Sequence, residues 1–162
     1  MLLAANFGPD DLFCMLTYDG AHLPDTHALA KSRIRAFLKT LREERRKHGL
    51  ELKYVYVTEG KHGDHRYHHH IVINAAGPTD LETVCSLWTY GKIVEVERFG
   101  THQYIDIARY ITKEAAEGKP VGAQMWTRSR NLVKPAVQSF LSVIMIQSPR
   151  RLVLLSWRKK RH

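Results

Sequence analysis

The chain lacks several features that would assign it to large functional classes. Of its 162 residues only two are cysteines, Cys14 and Cys85, and both stand in apolar contexts (FCML and TVCSLW). We interpret them as small core residues of a reducing compartment. Two cysteines in separate segments exclude a cysteine-based zinc framework and a disulfide-stapled fold.

Other absences narrow the choice further. No GxxxxGK[ST] phosphate loop is present, so the chain carries no recognisable ATP-driven motor. No apolar run reaches membrane-spanning length, and the start MLLAANFGPDD is too short for a secretory signal and lacks a basic beginning. We therefore expect a protein of the cytoplasm with no membrane partner.

Acidic residues are also scarce relative to basic ones. The chain has 25 Lys and Arg against 16 Asp and Glu, for a net charge of +9 and a pI near 9.7. This balance fits a polyanionic partner, DNA or RNA, although a solvated basic surface without a partner would have the same composition. At this length, without repeats or a Gly/Ser-rich linker, the chain predicts a single domain.

The most informative segment that is present is HRYHHHIVIN (65–74). With the period of a strand, His68 and His70 project from one face and His69 from the other, packed against a helix. YVYVTE (54–59) predicts the preceding strand of a hairpin, which brings Glu59 near both imidazoles. Two imidazoles and a carboxylate with open positions suit a hydrolytic or phosphoryl-transfer metal site for Mn²⁺ or Mg²⁺, with zinc less suited. His65 is the alternative ligand if the register slips.

A second group of chemically capable residues lies in YITK (110–113). If this segment is helical, Tyr110 and Lys113 are neighbours on one face. A tyrosine hydroxyl and an ammonium near a metal suggest a covalent nucleophile with electrostatic help. The alternatives are that Tyr110 is a core aromatic and Lys113 a surface lysine, and Tyr104 is the weaker nucleophile candidate.

Three blocks in this order resemble the HUH superfamily of single-strand DNA nicking enzymes, in particular the rolling-circle replication initiators (Rep) of phages, plasmids and small DNA viruses. FCMLTY (13–18) is similar to the family's first strand, the HHH at 68–70 to its His-hydrophobic-His motif, and IARYITK (107–113) to its single-tyrosine motif. The middle residue of that His motif is usually bulky and apolar, and here it is a histidine. The resemblance covers residues 12 to about 118.

The resemblance implies a DNA endonuclease and strand transferase that nicks single-stranded DNA at an origin or hairpin. Tyr110 would form a 5′-phosphotyrosine, Lys113 would counter charge, and Glu59, His68 and His70 would hold the metal. The implied partners are origin DNA and a host helicase and polymerase in the bacterial cytoplasm. Two alternatives are kept: a single-tyrosine HUH transposase, and a non-catalytic nucleic-acid-binding module on an RRM-like sheet.

The predicted element order is β-α-β-β-α-β-α. This order is typical of an α+β fold with an antiparallel sheet and helices on one face, like ferredoxin and RRM domains. Asp25 is the expected cap of the first helix (His27 to His48), and Thr79 with Glu82 the expected capping box of the second, which should run to Tyr90. A last helix is expected from about 104 to 117.

Residues 1–118 are thus predicted to form the nicking core, and 119–162 a C-terminal extension packed on it. The extension has a basic aromatic segment (126–131), two apolar runs (136–147 and 151–157) and the tail RKKRH, which either binds phosphate or is disordered. The expected nucleic-acid contacts are arginines of the first helix and of the 126–131 segment: Arg42, Arg45, Arg46, Arg128 and Arg130.

Overall fold

The structure is a computed structural model that describes residues 2–60, 66–98 and 126–134, with residues 94–98 described as backbone alone. The elements in these ranges are β1 (Leu12–Thr17), α1 (His27–Lys47), β2 (Tyr54–Glu59), β3 (His68–Ile73), α2 (Asp80–Leu87), β4 (Ile93–Arg98) and β5 (Thr127–Arg128). The predicted order from the first strand to the fourth is confirmed. The helix expected over 104–117 and both apolar runs of the extension lie outside the described residues.

The strands form one antiparallel sheet in the order β4-β1-β3-β2-β5. Four strands have six residues each, and β5 adds a two-residue pairing to the edge of β2. The two helices pack on one face of this sheet, as the predicted α+β class requires. Pairing of β5 with β2 was not predicted, because a two-residue strand has no periodicity to detect.

The strand alternation divides the apolar residues between two faces of the sheet. The helix-covered face carries the larger core, to which α1 contributes the buried stripe predicted from its spacing: Ala30, Ile34, Phe37, Leu38 and Leu41. The opposite face carries a smaller cluster that the N-terminal segment and the 126–134 segment cover: Phe7, Phe13, Val55, Val72 and Leu132.

The ends of α1 follow its local sequence, with one correction. The N-cap is Thr26, and not Asp25 as expected. The backbone of Thr26 is extended, and its hydroxyl accepts a hydrogen bond from the Leu29 amide at 3.1 Å. The helix ends at Lys47, and Gly49 follows with a φ of 69°. That left-handed conformation favours glycine, which explains why the helix stops there.

The second helix is shorter than predicted and is capped differently. The expected capping box does not form: Thr79 is the N-cap residue, but its side chain makes no capping hydrogen bond. Instead Asp80 accepts the amides of Ala76 and Gly77. The helix ends at Leu87, where Trp88 turns to extended backbone and donates its indole N–H to the Thr17 carbonyl at 2.9 Å. In the ranges described, no helix has both the length and the apolar character needed to cross a membrane.

The irregular alternation of the fourth strand has a structural cause. Ile93 breaks the apolar-polar pattern of KIVEVERF, and the register between β1 and β4 shifts between Met15 and Leu16. Because of this bulge Ile93 pairs with Leu16, a core residue, and packs against the helix-side core. The bulge therefore resolves the exception that the sequence pattern contained.

Candidate metal centre

The β2–β3 hairpin brings three potential metal ligands together on the sheet face that the helices do not cover. Glu59 pairs directly with His68, and Val57 pairs with His70. Residues paired across antiparallel strands project to the same face, and residues two apart along one strand do so as well. Glu59, His68 and His70 consequently form one cluster, in the register that the sequence predicts.

The ligand atoms of this cluster are close and partly shielded from water. Glu59 Oε2 lies 3.1 Å from His68 Nε2 and 3.5 Å from His70 Nε2. The exposed fraction of the side chain is 30% for His68, 18% for Glu59 and 5% for His70. Phe13 stacks on the His70 ring at a centroid distance of 6.0 Å, which fixes the inner ligand. Water therefore reaches the cluster mainly at His68, the most exposed of the three side chains.

The electrostatics of Glu59 favour its charged form. Burial raises the pKa of this carboxyl, but hydrogen bonds and attraction from His68 and His70 outweigh burial and lower the pKa to about 2. The carboxylate is therefore ionised at any physiological pH and ready to bind a cation.

The spacing of the donors fits one divalent ion. Two atoms bound to one ion at about 2.1 Å lie about 3.0 Å apart at a right angle and about 3.4 Å apart at the tetrahedral angle. The observed 3.1 and 3.5 Å separations match this range, and all three ligand atoms lie within 4.8 Å of one another. The cluster can hold a metal ion, with coordination positions left for water or a substrate oxygen.

The middle histidine of the triplet has a different role. His69 is fully buried on the helix-covered face, as predicted, where its ring meets that of Trp88 edge-on. The Tyr18 hydroxyl lies 2.7 Å from its Nε2 and the Thr58 hydroxyl 2.9 Å from its Nδ1. Burial above all lowers the pKa of His69, to about 3, so the ring is neutral. A neutral ring between two hydroxyls has both nitrogens satisfied.

Tyr18 and Thr58 were not singled out in the sequence, although a signal for Thr58 existed. The hairpin register that pairs Glu59 with His68 also pairs Thr58 with His69. The position of Tyr18 depends on the path of the chain beyond β1, where its hydroxyl also reaches the Ala30 carbonyl of α1 at 3.3 Å. That path cannot be deduced from periodicity.

A cleft of about 470 Å³ opens beside the cluster. Its walls come from the end of β1, the loop that follows and the start of β3: Met15, Thr17, Tyr18, Gly20, Leu23, Arg66, Tyr67 and His68. A cleft of this volume is within the usual range for small-molecule sites. It gives a ligand direct access to the outer metal-ligand candidate, His68.

The predicted DNA-contacting arginines separate into two groups. Arg45 is only 3% exposed, and its guanidinium binds Asn74 and the Asp80 carboxylate. Its expected role as a DNA contact is therefore wrong, because a buried and paired guanidinium cannot reach a phosphate. The other four, Arg42, Arg46, Arg128 and Arg130, are exposed and line one cleft of about 620 Å³, which we call the arginine cleft.

The remaining candidates lie outside the described residues: Tyr110, Lys113, Tyr104 and His65. Comparison with known protein families gives a match to a family described as Replication-associated protein ORF2, over residues 11–116. Searches of curated proteins and of solved structures return no significant match. The matched range includes the complete Glu59, His68 and His70 cluster as well as Tyr110 and Lys113.

Proposed function

The chain belongs to the replication-associated protein ORF2 family, and on this premise we propose that it starts rolling-circle DNA replication by nicking and rejoining single-stranded DNA. The observation that carries the proposal is the Glu59, His68 and His70 cluster, with ligand atoms within 4.8 Å of one another on the sheet face opposite the helices. The net charge of +9 supports a DNA substrate.

Each residue of the candidate site has a distinct task in this proposal. Glu59, His68 and His70 would hold one Mn²⁺ or Mg²⁺, which supplies Lewis-acid stabilisation of the charge that develops on the scissile phosphate. His70 and Glu59 are held by burial and by their mutual contacts, so the donor geometry is set before DNA arrives. The cleft beside His68 provides room for the nucleotide that carries the scissile phosphate.

Tyr110 is the proposed nucleophile. Its phenol oxygen attacks the phosphorus and forms a P–O bond, while the bond from phosphorus to the 3′ oxygen of the preceding nucleotide breaks. The phenol proton leaves to solvent, and the departing oxygen takes up a proton to become a 3′-hydroxyl that a polymerase can extend. The 5′ phosphate stays on Tyr110 as an ester, so the reverse reaction joins strands without ATP.

Lys113 has the supporting role. A phenol has a pKa of about 10 and is mostly protonated at neutral pH, so a nearby ammonium that stabilises the phenolate or the phosphate charge assists the attack. Loss of this ammonium should slow cleavage without stopping it. In this proposal a host helicase separates the strands.

The test is a cleavage assay with labelled single-stranded oligonucleotides from the DNA flanking the gene, with and without Mn²⁺. Wild-type protein should form a covalent protein–DNA species only with metal. Tyr110→Phe removes one hydroxyl and should abolish both cleavage and adduct, whereas the matched Tyr104→Phe should retain both. Cutting by Tyr110→Phe at near wild-type rate would instead indicate a water-activating nuclease, and metal-independent binding without cleavage would indicate a non-catalytic module.

A further inference from the structure

The arginine cleft is formed by two segments that are distant in sequence. Arg42 and Arg46 come from the last turns of α1, and Arg128 and Arg130 come from β5 and the residues after it. The rest of the lining contributes one acidic side chain, Glu51. Four guanidinium groups against one carboxylate leave the cleft with a formal charge of +3 (4 − 1).

The second wall of the cleft is anchored by backbone pairing. Val55 pairs with Arg128, and the Ser129 amide donates to the Tyr54 carbonyl at 3.0 Å. The Tyr54 amide in turn donates to the Ser129 hydroxyl at 3.1 Å, and Ser129 is buried. Arg128 and Arg130 flank this buried serine, so both emerge at the edge of β2.

Stabilisation of α1 explains only some of the basic residues that line the cleft. Basic residues in the last turn of α1 favour the helix dipole, which is a sufficient reason for Arg46. That argument does not apply to Arg128 and Arg130, which lie outside any helix. Among the described residues none of the four arginines forms an ion pair, so their charge is not neutralised there. Arg42 lies over the Tyr54 ring at 5.9 Å, a contact that leaves its charge in place.

The arginine cleft and the candidate metal centre lie at opposite ends of β2. Tyr54 begins the strand and lines the cleft, while Glu59 ends it. Five strand steps of about 3.3 Å separate these two residues, a distance of roughly 17 Å. A phosphate bound at the metal centre therefore cannot also occupy the arginine cleft.

We propose that the arginine cleft binds the phosphate backbone of the single-stranded DNA substrate at a distance from the metal centre. The identity of this strand rests on the proposed nicking function. A guanidinium presents a fork of N–H donors that matches the oxygens of a phosphate. Four exposed guanidinium groups line this cleft from its two walls, and none has an ion pair with another described residue. Because such contacts read charge and not base edges, the site should bind without sequence preference.

The experiment is a titration of labelled oligothymidylate at several salt concentrations, in a chelator so that no cleavage occurs. Each phosphate contact in a single strand contributes about 0.7 to the slope of log affinity against log salt. Arg46→Gln and Arg128→Gln, one from each wall, should each reduce the slope by about 0.7, and the double variant by about 1.4. Lys47→Gln, which removes one charge from the adjacent residue of α1, should leave the slope unchanged because Lys47 pairs with Glu44 at 2.6 Å.

Unchanged slopes in both arginine variants would overturn the proposal, as would an equal reduction in Lys47→Gln, since that result would reflect net charge alone. Displacement of the oligonucleotide by polyglutamate as readily as by unlabelled oligothymidylate of equal charge would also overturn it, in favour of an acidic protein partner. Tyr110→Phe should retain the wild-type slope. Failure of the cleft therefore shows in the salt slope and failure of the proposed nicking shows in the adduct assay, so the two are distinguishable.

Discussion

Replacing His69 by glutamine should make the protein less sensitive to acid. The His69 ring is fully buried, and burial is the main reason that its pKa is lowered to about 3 from an ordinary value of 6.5. Between these two pKa values the His69 ring is protonated in the unfolded chain and neutral in the folded protein. His69 therefore contributes stability above pH 6.5, and this contribution is lost progressively as the pH falls from 6.5 towards 3.

The size of the effect follows from linkage. Each pH unit in this interval lowers the free energy of unfolding by about 1.4 kcal/mol per excess proton. Between about pH 7.5 and pH 5 the His69 contribution should therefore fall by about 2 kcal/mol. Glutamine does not titrate, and its amide can still bind the Tyr18 and Thr58 hydroxyls that hold the imidazole.

The measurement is urea unfolding of wild type and His69→Gln at both pH values. A chelator keeps metal ions away from both proteins, so that the other histidines contribute equally to the two pH dependences. The difference between the two losses isolates His69, whatever the absolute stability of the variant. We expect wild type to lose about 2 kcal/mol more than the variant. Equal losses would mean that the folded protein accepts the proton, and the reasoning from burial would be refuted.

Two further predictions concern the candidate metal centre and the buried arginine. Mn²⁺ at about a hundred times its dissociation constant should stabilise the protein by about 2.7 kcal/mol, or about 5 to 10 °C in Tm. Glu59→Gln should lose most of this shift while His69→Gln keeps it, and a full shift in Glu59→Gln measured by differential scanning fluorimetry would contradict the ligand assignment. Arg45→Met should cost about 3 to 5 kcal/mol in urea unfolding, because it leaves the Asp80 carboxylate without its ion-pair partner at 3.1 Å. Restoration of part of this loss by Asp80→Asn in the same chain would identify the stranded charge as the cause, and a cost below about 1 kcal/mol would contradict it.

The sequence was informative wherever a strand period or a hairpin register governs the structure. Alternation placed His68 and His70 on one face, since side chains two residues apart must project together, and the predicted hairpin brought Glu59 beside them. The strand period also put His69 on the opposite face from His68 and His70, and His69 lies in the helix-covered core beside Trp88. The same local reasoning located the buried stripe of α1.

Predictions were wrong where more than one polar side chain could cap a helix, and where a buried side chain has partners that are distant in sequence. At the start of α2 the capping box was a reasonable expectation, but the Asp80 carboxylate accepts the Ala76 and Gly77 amides that precede the helix and also pairs with Arg45. Arg45 itself was assigned to the surface because arginine usually lies there. Its burial depends on Asn74 and Asp80, which are far from it in sequence, and no local pattern indicates such a partnership.

The histidine triplet also makes metal binding depend on the register of β3 against β2. A slip of β3 by one residue against β2 would move His68 and His70 into the packed interior beside Trp88 and leave a single imidazole on the outer face. Such a misaligned hairpin would bury two imidazoles where one now fits and would lose two of the three ion-binding donors. A divalent cation that binds the aligned cluster would therefore act as a selective ligand for correctly paired strands. The bound ion would thus stabilise the correctly paired hairpin before it takes part in any reaction.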